Sequence, residues 1–240
     1  MTKLKLFKTR AHESELLETS IKRKAADASA LRILEAGCGR KWPLNLGGIE
    51  YTITGVDLDK DALEFRKTKI RDLDETILGD LRSVELDENS YDVIYNSFVL
   101  EHVRDADRVL DNFIKWLKSG GILILRIPDR NSVYGFATRM TPFWFHVFYK
   151  KYIQGISNAG QPGFDPYPTY HEEVVSRNGI HDFCMRHQCR IKEEYGQGYY
   201  LDGKGILHTL IRAFVMTAAL LSFGKLQWKH NNLTYILEKA

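Results

Sequence analysis

The 240-residue sequence is poor in cysteine, in proline and in net charge. Its three cysteines, Cys38, Cys184 and Cys189, form an odd number without metal-ligand spacing, which argues against a disulfide scaffold and against a metal site. Lys and Arg exceed Asp and Glu by three, so the overall charge predicts no attraction to nucleic acid or to an anionic membrane. Six prolines are too few for a linker or a collagen. This composition is typical of a globular protein in a reducing compartment, and we expect it in the cytoplasm.

The sequence also lacks a run of residues that is typical of a secretory signal or a membrane span. Residues 1–24 mix basic and acidic side chains with scattered apolar ones. The longest apolar stretch, residues 205–224, contains His208 and Arg212, whose burial in lipid would cost several kcal/mol. We therefore interpret it as an amphipathic or core helix. Contact with a membrane surface stays an alternative that the overall charge does not favour.

What the sequence does contain, from residue 31 onward, is an alternation of short apolar runs with longer helical patterns. Seven runs of four to seven residues predict strands at 31–35, 51–57, 76–80, 91–97, 121–127, 190–195 and 233–237. Helical spacing predicts helices at 60–69, 106–117, 171–187 and 205–224. This alternation predicts an α/β fold, with a seven-stranded, mostly parallel sheet and helices on both of its faces.

We expect a single domain over residues 1–240, built from four parts. Residues 1–30 form an N-terminal helical cap, and residues 31–130 form the core of the sheet with its ligand-binding edge. Residues 131–180 form an aromatic lid after the fifth strand, and most of its aromatic side chains are expected to pack as core. Residues 181–240 hold the last strands and the inserted apolar helix 205–224.

Two glycines follow the first predicted strand, at the place where open α/β sheets bind ligands. Gly37 and Gly39 allow a turn that a ligand can approach closely. The third glycine of a dinucleotide fingerprint would fall on Trp42, which disfavours a nicotinamide or flavin enzyme. Asp57 ends the second strand 20 residues after Gly37, where a carboxylate can accept both hydroxyls of a ribose. A nucleoside without a pyrophosphate agrees with both observations.

Five short motifs share the order and spacing of one family. They are E-A-G-C-G (35–39), G-V-D-L-D (55–59), L-G-D-L (78–81), Y-D-V-I-Y-N-S-F-V-L-E-H-V (91–103) and L-K-S-G-G-I-L-I-L-R-I-P (117–128). Over residues 30–130 the chain thereby resembles the class I S-adenosylmethionine-dependent methyltransferases, in particular the type 11 methyltransferase domain of the small-molecule group. The resemblance implies a Rossmann-like sheet and S-adenosylmethionine as cofactor. Arg40 stands where the family commonly has a third glycine, so the loop departs from the pattern there.

The resemblance also implies which residues contact the cofactor. Those around its methionine part are Glu35, Gly37, Cys38 and Gly39. Those toward its adenosine are Asp57 on the ribose, Leu58 on the adenine, and Asp80 on the adenine amino group with Leu81 beside it. Asn96 and Ser97, with Phe98, would line the passage where donor meets acceptor. Each carboxylate has a structural alternative, because Asp80 can cap a helix and Asp59 is expected to do so.

The implied reaction transfers a methyl group to an O or N atom of a small, hydrophobic molecule. Alignment of the reacting atoms in a dry pocket supplies much of the acceleration, although a hydroxyl acceptor also profits from a base. The candidates for that base are His146, His171, Tyr149 and Tyr170, which lie in the aromatic lid. We interpret His102, in the pair Glu101-His102, as structural.

Two alternatives to this function stay open. One is a protein that binds S-adenosylmethionine without catalysis, or that supports a partner enzyme. The other is a nucleic-acid or protein methyltransferase. Nucleic-acid enzymes of that kind place two prolines and an aromatic residue after an Asn or Asp. Asn96 is instead followed by Ser97 and Phe98, so we expect no nucleic-acid partner.

Overall fold

The computed structural model describes residues 4–26, 28–153, 155–161, 166–170, 172–199, 203 and 205–240. Its centre is an eight-stranded sheet in the order β1-β7-β8-β6-β5-β2-β3-β4. The strands are β1 (Lys5–Leu6), β2 (Leu31–Ala36), β3 (Tyr51–Asp57), β4 (Glu75–Leu78), β5 (Tyr91–Ser97), β6 (Leu117–Pro128), β7 (Arg190–Gln197) and β8 (Asn232–Glu238). The fold class is the predicted one, with one more strand than the seven expected. The extra strand, β1, has two residues, which is too short for any periodicity.

Strand direction and order place a crevice at one edge of this sheet. The strand pairs are parallel except those of β8, which runs antiparallel to β6 and β7. From β2 the chain moves outward to β3 and β4 and then returns to β5 on the other side of β2. Ligands of open α/β sheets bind where the strand order reverses in this way. The carboxyl ends of β2 and β5 are therefore the expected place for a site.

Helices lie on both faces of the sheet. They are α1 (Arg10–Ala25), α2 (Lys60–Phe65, continued by a π-helical turn, Arg66–Ile70), α3 (Ala106–Trp116), α4 (Val133–Met140), α5 (Phe143–Phe148, continued by a π-helical turn, Tyr149–Ile153), α6 (Arg177–Arg186) and α7 (Ile206–Leu221). Side chains of α3 and α6 join one apolar cluster, and those of α1 join the cluster on the opposite face. The helical spacing predicted at 106–117 is confirmed, because the apolar side chains that make up this pattern are at most 2% exposed; they are Val109, Leu110, Phe113, Trp116 and Leu117.

The helix predicted at 171–187 begins later than expected. Residues 173–176 form turns, and α6 begins at Arg177. The hydroxyl of Ser176 accepts a hydrogen bond from the Gly179 N–H at 3.0 Å, which caps the helix there. The start at His171 was wrong because apolar spacing does not mark the first residue of a helix as a capping side chain does.

A third apolar cluster joins two segments that are far apart in the chain. Val133 of α4 packs with Val215 and Ala219 of α7, and Leu226 and Trp228 pack against them. The aromatic side chains between 134 and 152 do not form core as expected, since the eight large ones are 42% to 67% exposed. Among the described residues, no helix combines the length and the apolar character that crossing a bilayer requires.

Candidate active site

A cleft of about 1440 Å³ opens at the carboxyl ends of the parallel strands. The loops after β2, β3, β4 and β5 line one side of it, and α4, α5 and residues 166–170 line the other. We call it the main cleft. Of the residues predicted to contact the cofactor, those that line it are Gly37, Gly39, Asp57, Leu58, Asp80, Leu81 and Ser97.

The two glycines after β2 form a tight turn along the main cleft. Gly37 and Gly39 have φ angles of +74° and +53°, a region in which other residues are strained. A Cβ on Gly37 would lie 2.4 Å from a methyl carbon of Val99, whereas a Cβ on Gly39 would meet no atom within 4 Å. The N–H groups of Gly37 and Cys38 donate to the Val56 carbonyl at 2.8 and 3.2 Å. The turn is thus fixed by its own backbone, with open space beside Gly39.

Asp57 lies beside this turn at the end of β3. Its carboxylate accepts hydrogen bonds from the N–H groups of Gly39, at 2.7 Å, and of Asp59, at 2.9 Å. Each carboxylate oxygen has a second lone pair, so the group keeps acceptor capacity toward the cleft. Asp59 caps α2, as predicted, through bonds from the N–H groups of Asp61 and Ala62. Leu58, between the two carboxylates, is 70% exposed on the cleft wall.

Below the turn lies a buried arginine that sequence reasoning missed. The fully buried guanidinium of Arg66 lies 2.8 Å from carboxylate oxygens of both Glu35 and Asp72. It also donates to the carbonyl of Cys38 at 2.9 Å. Burial raises the pKa of Glu35, and the ion pair with Arg66 opposes that rise. Arg66 therefore ties the glycine turn to the helix after β3, and no short-range signal links residues 35 and 66.

Three of the residues predicted to contact the cofactor are not among those that line the main cleft. The Glu35 carboxylate faces Arg66, and Cys38 is buried with its sulfur against Gly55. Burial also raises the pKa of the Cys38 thiol to about 12, so the thiol is neutral. Asn96 is fully buried, and its amide donates to the Ala36 carbonyl at 2.9 Å. The side chains of these residues support the turn from below.

Asp80 follows β4 and lines the main cleft, but its carboxylate already has a partner. It accepts from the side-chain Nε of Arg82 at 3.0 Å and from the Arg82 N–H at 2.9 Å. The guanidinium holds the pKa of Asp80 below its ordinary value. An adenine amino group would have to share this carboxylate with Arg82.

The four predicted bases have different positions. His146 lines the main cleft, with its Nε2 2.8 Å from the Thr141 hydroxyl. Tyr170 also lines it, and the Arg104 guanidinium lies 4.8 Å from the centre of its ring. Tyr149 is 45% exposed and is not among the lining residues. His171 lies outside the described residues.

Glu101 is a further acidic group in the main cleft that sequence reasoning did not select. Its residue is 5% exposed, and one carboxylate oxygen has no hydrogen-bond partner among the described residues. Burial raises the pKa of Glu101 to about 8. The adjacent His102 has its Nδ1 2.9 Å from the Pro168 carbonyl, and burial lowers the pKa of its imidazole. The family motif at 91–103 includes Glu101 and so marked its position, but the sequence does not show that this side chain is buried.

A second cavity of about 490 Å³ adjoins the main cleft. The two share Phe98, Asn231 and Asn232 as lining residues. Phe98 has a φ angle of +57°, which is strained for an aromatic residue, and the Arg126 guanidinium lies 4.9 Å from its ring centre. Arg126 in turn donates to Glu13 of α1 at 3.0 Å. Charged side chains, among them Arg126 and Glu13, therefore line the cavity that adjoins the main cleft.

Comparison with known proteins shows that part of the chain matches a methyltransferase domain. A family model described as a methyltransferase domain matches residues 34–125. The mitochondrial ubiquinone biosynthesis O-methyltransferase of Candida albicans is 31% identical in an alignment of 148 positions, and the alignment covers 52% of this chain and 43% of that protein. The matches to several curated relatives span between 20% and 44% of the relatives' own length.

Solved structures of low sequence identity share the fold. The N-methyltransferase NodS of Bradyrhizobium japonicum, in complex with S-adenosyl-L-homocysteine, has a TM-score of 0.52 at 14% identity, with 94% of this chain and 86% of that chain covered. The cyclase SpnF has a TM-score of 0.55 at 14% identity, with 94% and 80% covered. The family match and the five motifs, which lie together in residues 34–128, identify the sheet core as a class I S-adenosylmethionine-dependent methyltransferase domain.

Proposed function

We propose that the protein transfers a methyl group from S-adenosylmethionine to an O or N atom of a small, hydrophobic molecule. The observation that carries the proposal is the position of the glycine turn and Asp57, side by side on the main cleft. The same cleft is bordered on its far side by Tyr134 and Phe143 of the aromatic helices. One cleft thus offers a place for a nucleoside and a place for an apolar acceptor.

The residues on the donor side fit the cofactor, which when bound supplies a methyl group on a positively charged sulfur. Asp57 has acceptor capacity for the ribose hydroxyls, and the exposed Leu58 offers an apolar surface to the adenine. Because the N–H groups of the turn are used internally and the Cys38 carbonyl accepts from Arg66, we infer that the other carbonyl groups of the turn meet the ammonium of the methionine part. The open space beside Gly39 leaves room for the ligand.

On the acceptor side, the residues of the main cleft position the acceptor and exclude water. In a methyl transfer from sulfur, the acceptor atom has to approach the methyl carbon in line with the bond that breaks. Apolar walls that exclude water favour this alignment. We propose Glu101 as the group that takes the proton of a hydroxyl acceptor, since it lines the main cleft with one carboxylate oxygen that has no hydrogen-bond partner among the described residues. His146 and Tyr170 stay alternative bases on the same cleft.

The main alternative is a protein that binds the cofactor without methyl transfer. The structural match to a cyclase shows that this fold is not tied to one reaction. Glu101 argues for catalysis, because burying a carboxyl group with one oxygen unpaired among the described residues has a free-energy cost that a mere binding site does not require. Binding without turnover across a broad panel of hydroxyl and amine acceptors would favour the alternative.

Calorimetry with S-adenosyl-L-homocysteine tests the donor site directly. We expect Asp57→Ala to weaken binding more than tenfold, because charge-assisted hydrogen bonds to the ribose are lost. Glu88→Ala removes an exposed carboxylate elsewhere and should leave the affinity unchanged. Thermal unfolding of both variants shows whether they are folded. Equal affinity of folded Asp57→Ala and the unchanged protein would show that the nucleoside site lies elsewhere.

A further inference from the structure

Two segments of the chain carry basic residues and no acidic ones. Residues 130–161 and 203–231 carry four Lys and Arg residues each and no Asp or Glu, a local charge of +8. The whole chain carries only +3, so the remaining residues carry a net −5. The small overall surplus therefore hides a strong asymmetry. Both segments belong to the unit that α4 and α7 form beside the sheet.

Helix α7 is apolar on two opposite faces, and only one of them is covered. Val215 and Ala219 pack against α4. On the opposite side of the helix, Phe214 is 71% and Leu220 78% exposed, and Leu210 is exposed as well. A helix that is apolar all round is normally buried. Among the residues that the structure describes, nothing covers the outer face of α7, although its composition requires a partner.

Helices α4 and α5 expose further large apolar residues. Met140 of α4 and Trp144 of α5 are 68% and 67% exposed, and the loop after α7 exposes Phe223. Single exposed apolar residues are ordinary, but a group of this size marks an interaction site. We call these exposed residues the apolar-basic surface. Its apolar members are Met140, Trp144, Leu210, Phe214, Leu220 and Phe223, and its basic members are Arg139, Lys151 and Lys225.

We propose that the apolar-basic surface docks on an anionic phospholipid bilayer. Exposed basic residues of the same two segments, including Arg139, Lys151 and Lys225, match the charge of anionic headgroups. Large apolar and aromatic side chains insert at the boundary between headgroups and acyl chains. Since its inner face is packed on α4, α7 lies on the bilayer and is not surrounded by lipid.

Charge also distinguishes the bilayer from another copy of the chain. A two-fold contact through this surface would bring the same all-basic segments together and would be opposed by their repulsion. An anionic bilayer complements both the apolar residues and the charge. The sequence analysis kept contact with a membrane surface as an alternative that the overall charge does not favour, whereas the charge of these two segments favours it.

Docking would place the main cleft close to the lipid. Thr138, Phe143 and Lys150 of the docking helices also line that cleft. A hydrophobic acceptor dissolved in the bilayer could therefore enter without crossing water. This part of the inference rests on the proposed function, whereas the docking itself does not.

Flotation with lipid vesicles tests the docking. The full chain is mixed with vesicles of phosphatidylcholine alone or with one third phosphatidylglycerol, at low and high salt. We expect flotation with the anionic vesicles, and at least tenfold less with the neutral ones or at high salt. Phe214→Asn with Leu220→Asn should lower the partition coefficient more than tenfold, and Lys225→Glu should lower it severalfold through charge alone. Met185→Asn changes an exposed apolar residue of α6 and should have no effect.

Several outcomes would overturn the inference. They are the absence of flotation, equal flotation of the double variant and the unchanged protein, and a dimer in sedimentation that the double variant abolishes. The last result would assign the surface to a second copy. Calorimetry with S-adenosyl-L-homocysteine on the same samples separates the two proposals. Normal binding with no flotation rejects only the docking, and flotation without binding rejects only the donor site.

Discussion

The sheet core and the apolar-basic surface are both rich in apolar residues, but they use them in opposite ways. In the core, the apolar stripe of α3 is fully buried against β5 and β6. On α7, residues of the same type face solvent. The difference teaches that an apolar pattern specifies the nature of a face, while its burial depends on another element lying over it. Where none does in the chain itself, the partner has to be sought outside it.

The largest effect is expected where the core supports the site. Arg66→Met leaves the buried Glu35 carboxylate without its cation, and breaking such a pair costs about 3–5 kcal/mol. Chemical denaturation should show a loss near the upper end of that range, because Asp72 and the Cys38 carbonyl lose their partner too. Arg190→Met, on a side chain that is 75% exposed, should change stability by less than about 0.5 kcal/mol. Similar losses in both variants would contradict the role of Arg66.

The comparison between the two regions is tested most directly by one substitution made in each. Phe113→Ala removes a fully buried ring of α3 and should destabilise the protein by about 3–4 kcal/mol. Phe214→Ala removes a ring that is 71% exposed and should change stability by about 0.5 kcal/mol or less. Denaturation of both in the absence of lipid measures the two losses. A large loss for Phe214→Ala would mean that the outer face of α7 is covered within the protein itself.

A smaller effect is expected from the pH dependence of Glu101. The pKa of Glu101 rises from the ordinary 4.5 to about 8 in the folded protein. Between these two pH values the folded state keeps a proton that the unfolded state has released. Its contribution to stability is present below pH 4.5 and is lost as the pH rises toward 8. The variant Glu101→Gln lacks this loss. Its Tm relative to the unchanged protein should therefore rise from pH 5 to pH 9, by roughly 2–4 °C for each kcal/mol.

Glu88→Gln provides the control, because this side chain is 63% exposed. Its Tm difference from the unchanged protein should stay constant over the same pH range. A constant difference for Glu101→Gln as well would show that the pKa of Glu101 is not raised in the folded protein.

Local signals in the sequence predicted the strands well and identified the five family motifs. A strand of the parallel sheet is apolar along its whole length, and a capping residue such as Asp59 acts within three residues, so both are visible in a short window. The same holds for the turn at Gly37 and Gly39.

Interactions between distant residues could not be predicted in this way. The bond from Gln197 to Glu13 joins residues 184 positions apart, and the packing of Val133 on Val215 joins two segments with no shared motif. Asn96 illustrates the same limit at a predicted position, because its place beneath the turn depends on a contact with Ala36 across the sheet.

The ion pairs of Arg66 have a consequence for the speed of donor binding. With the carbonyl of Cys38 and the carboxylate of Glu35 held from below, the backbone between them has little conformational entropy to lose when a ligand arrives. That ordering is completed during folding. Association should then proceed in one kinetic phase without a slow rearrangement, and the departure of the demethylated product should need no opening of the backbone beneath it.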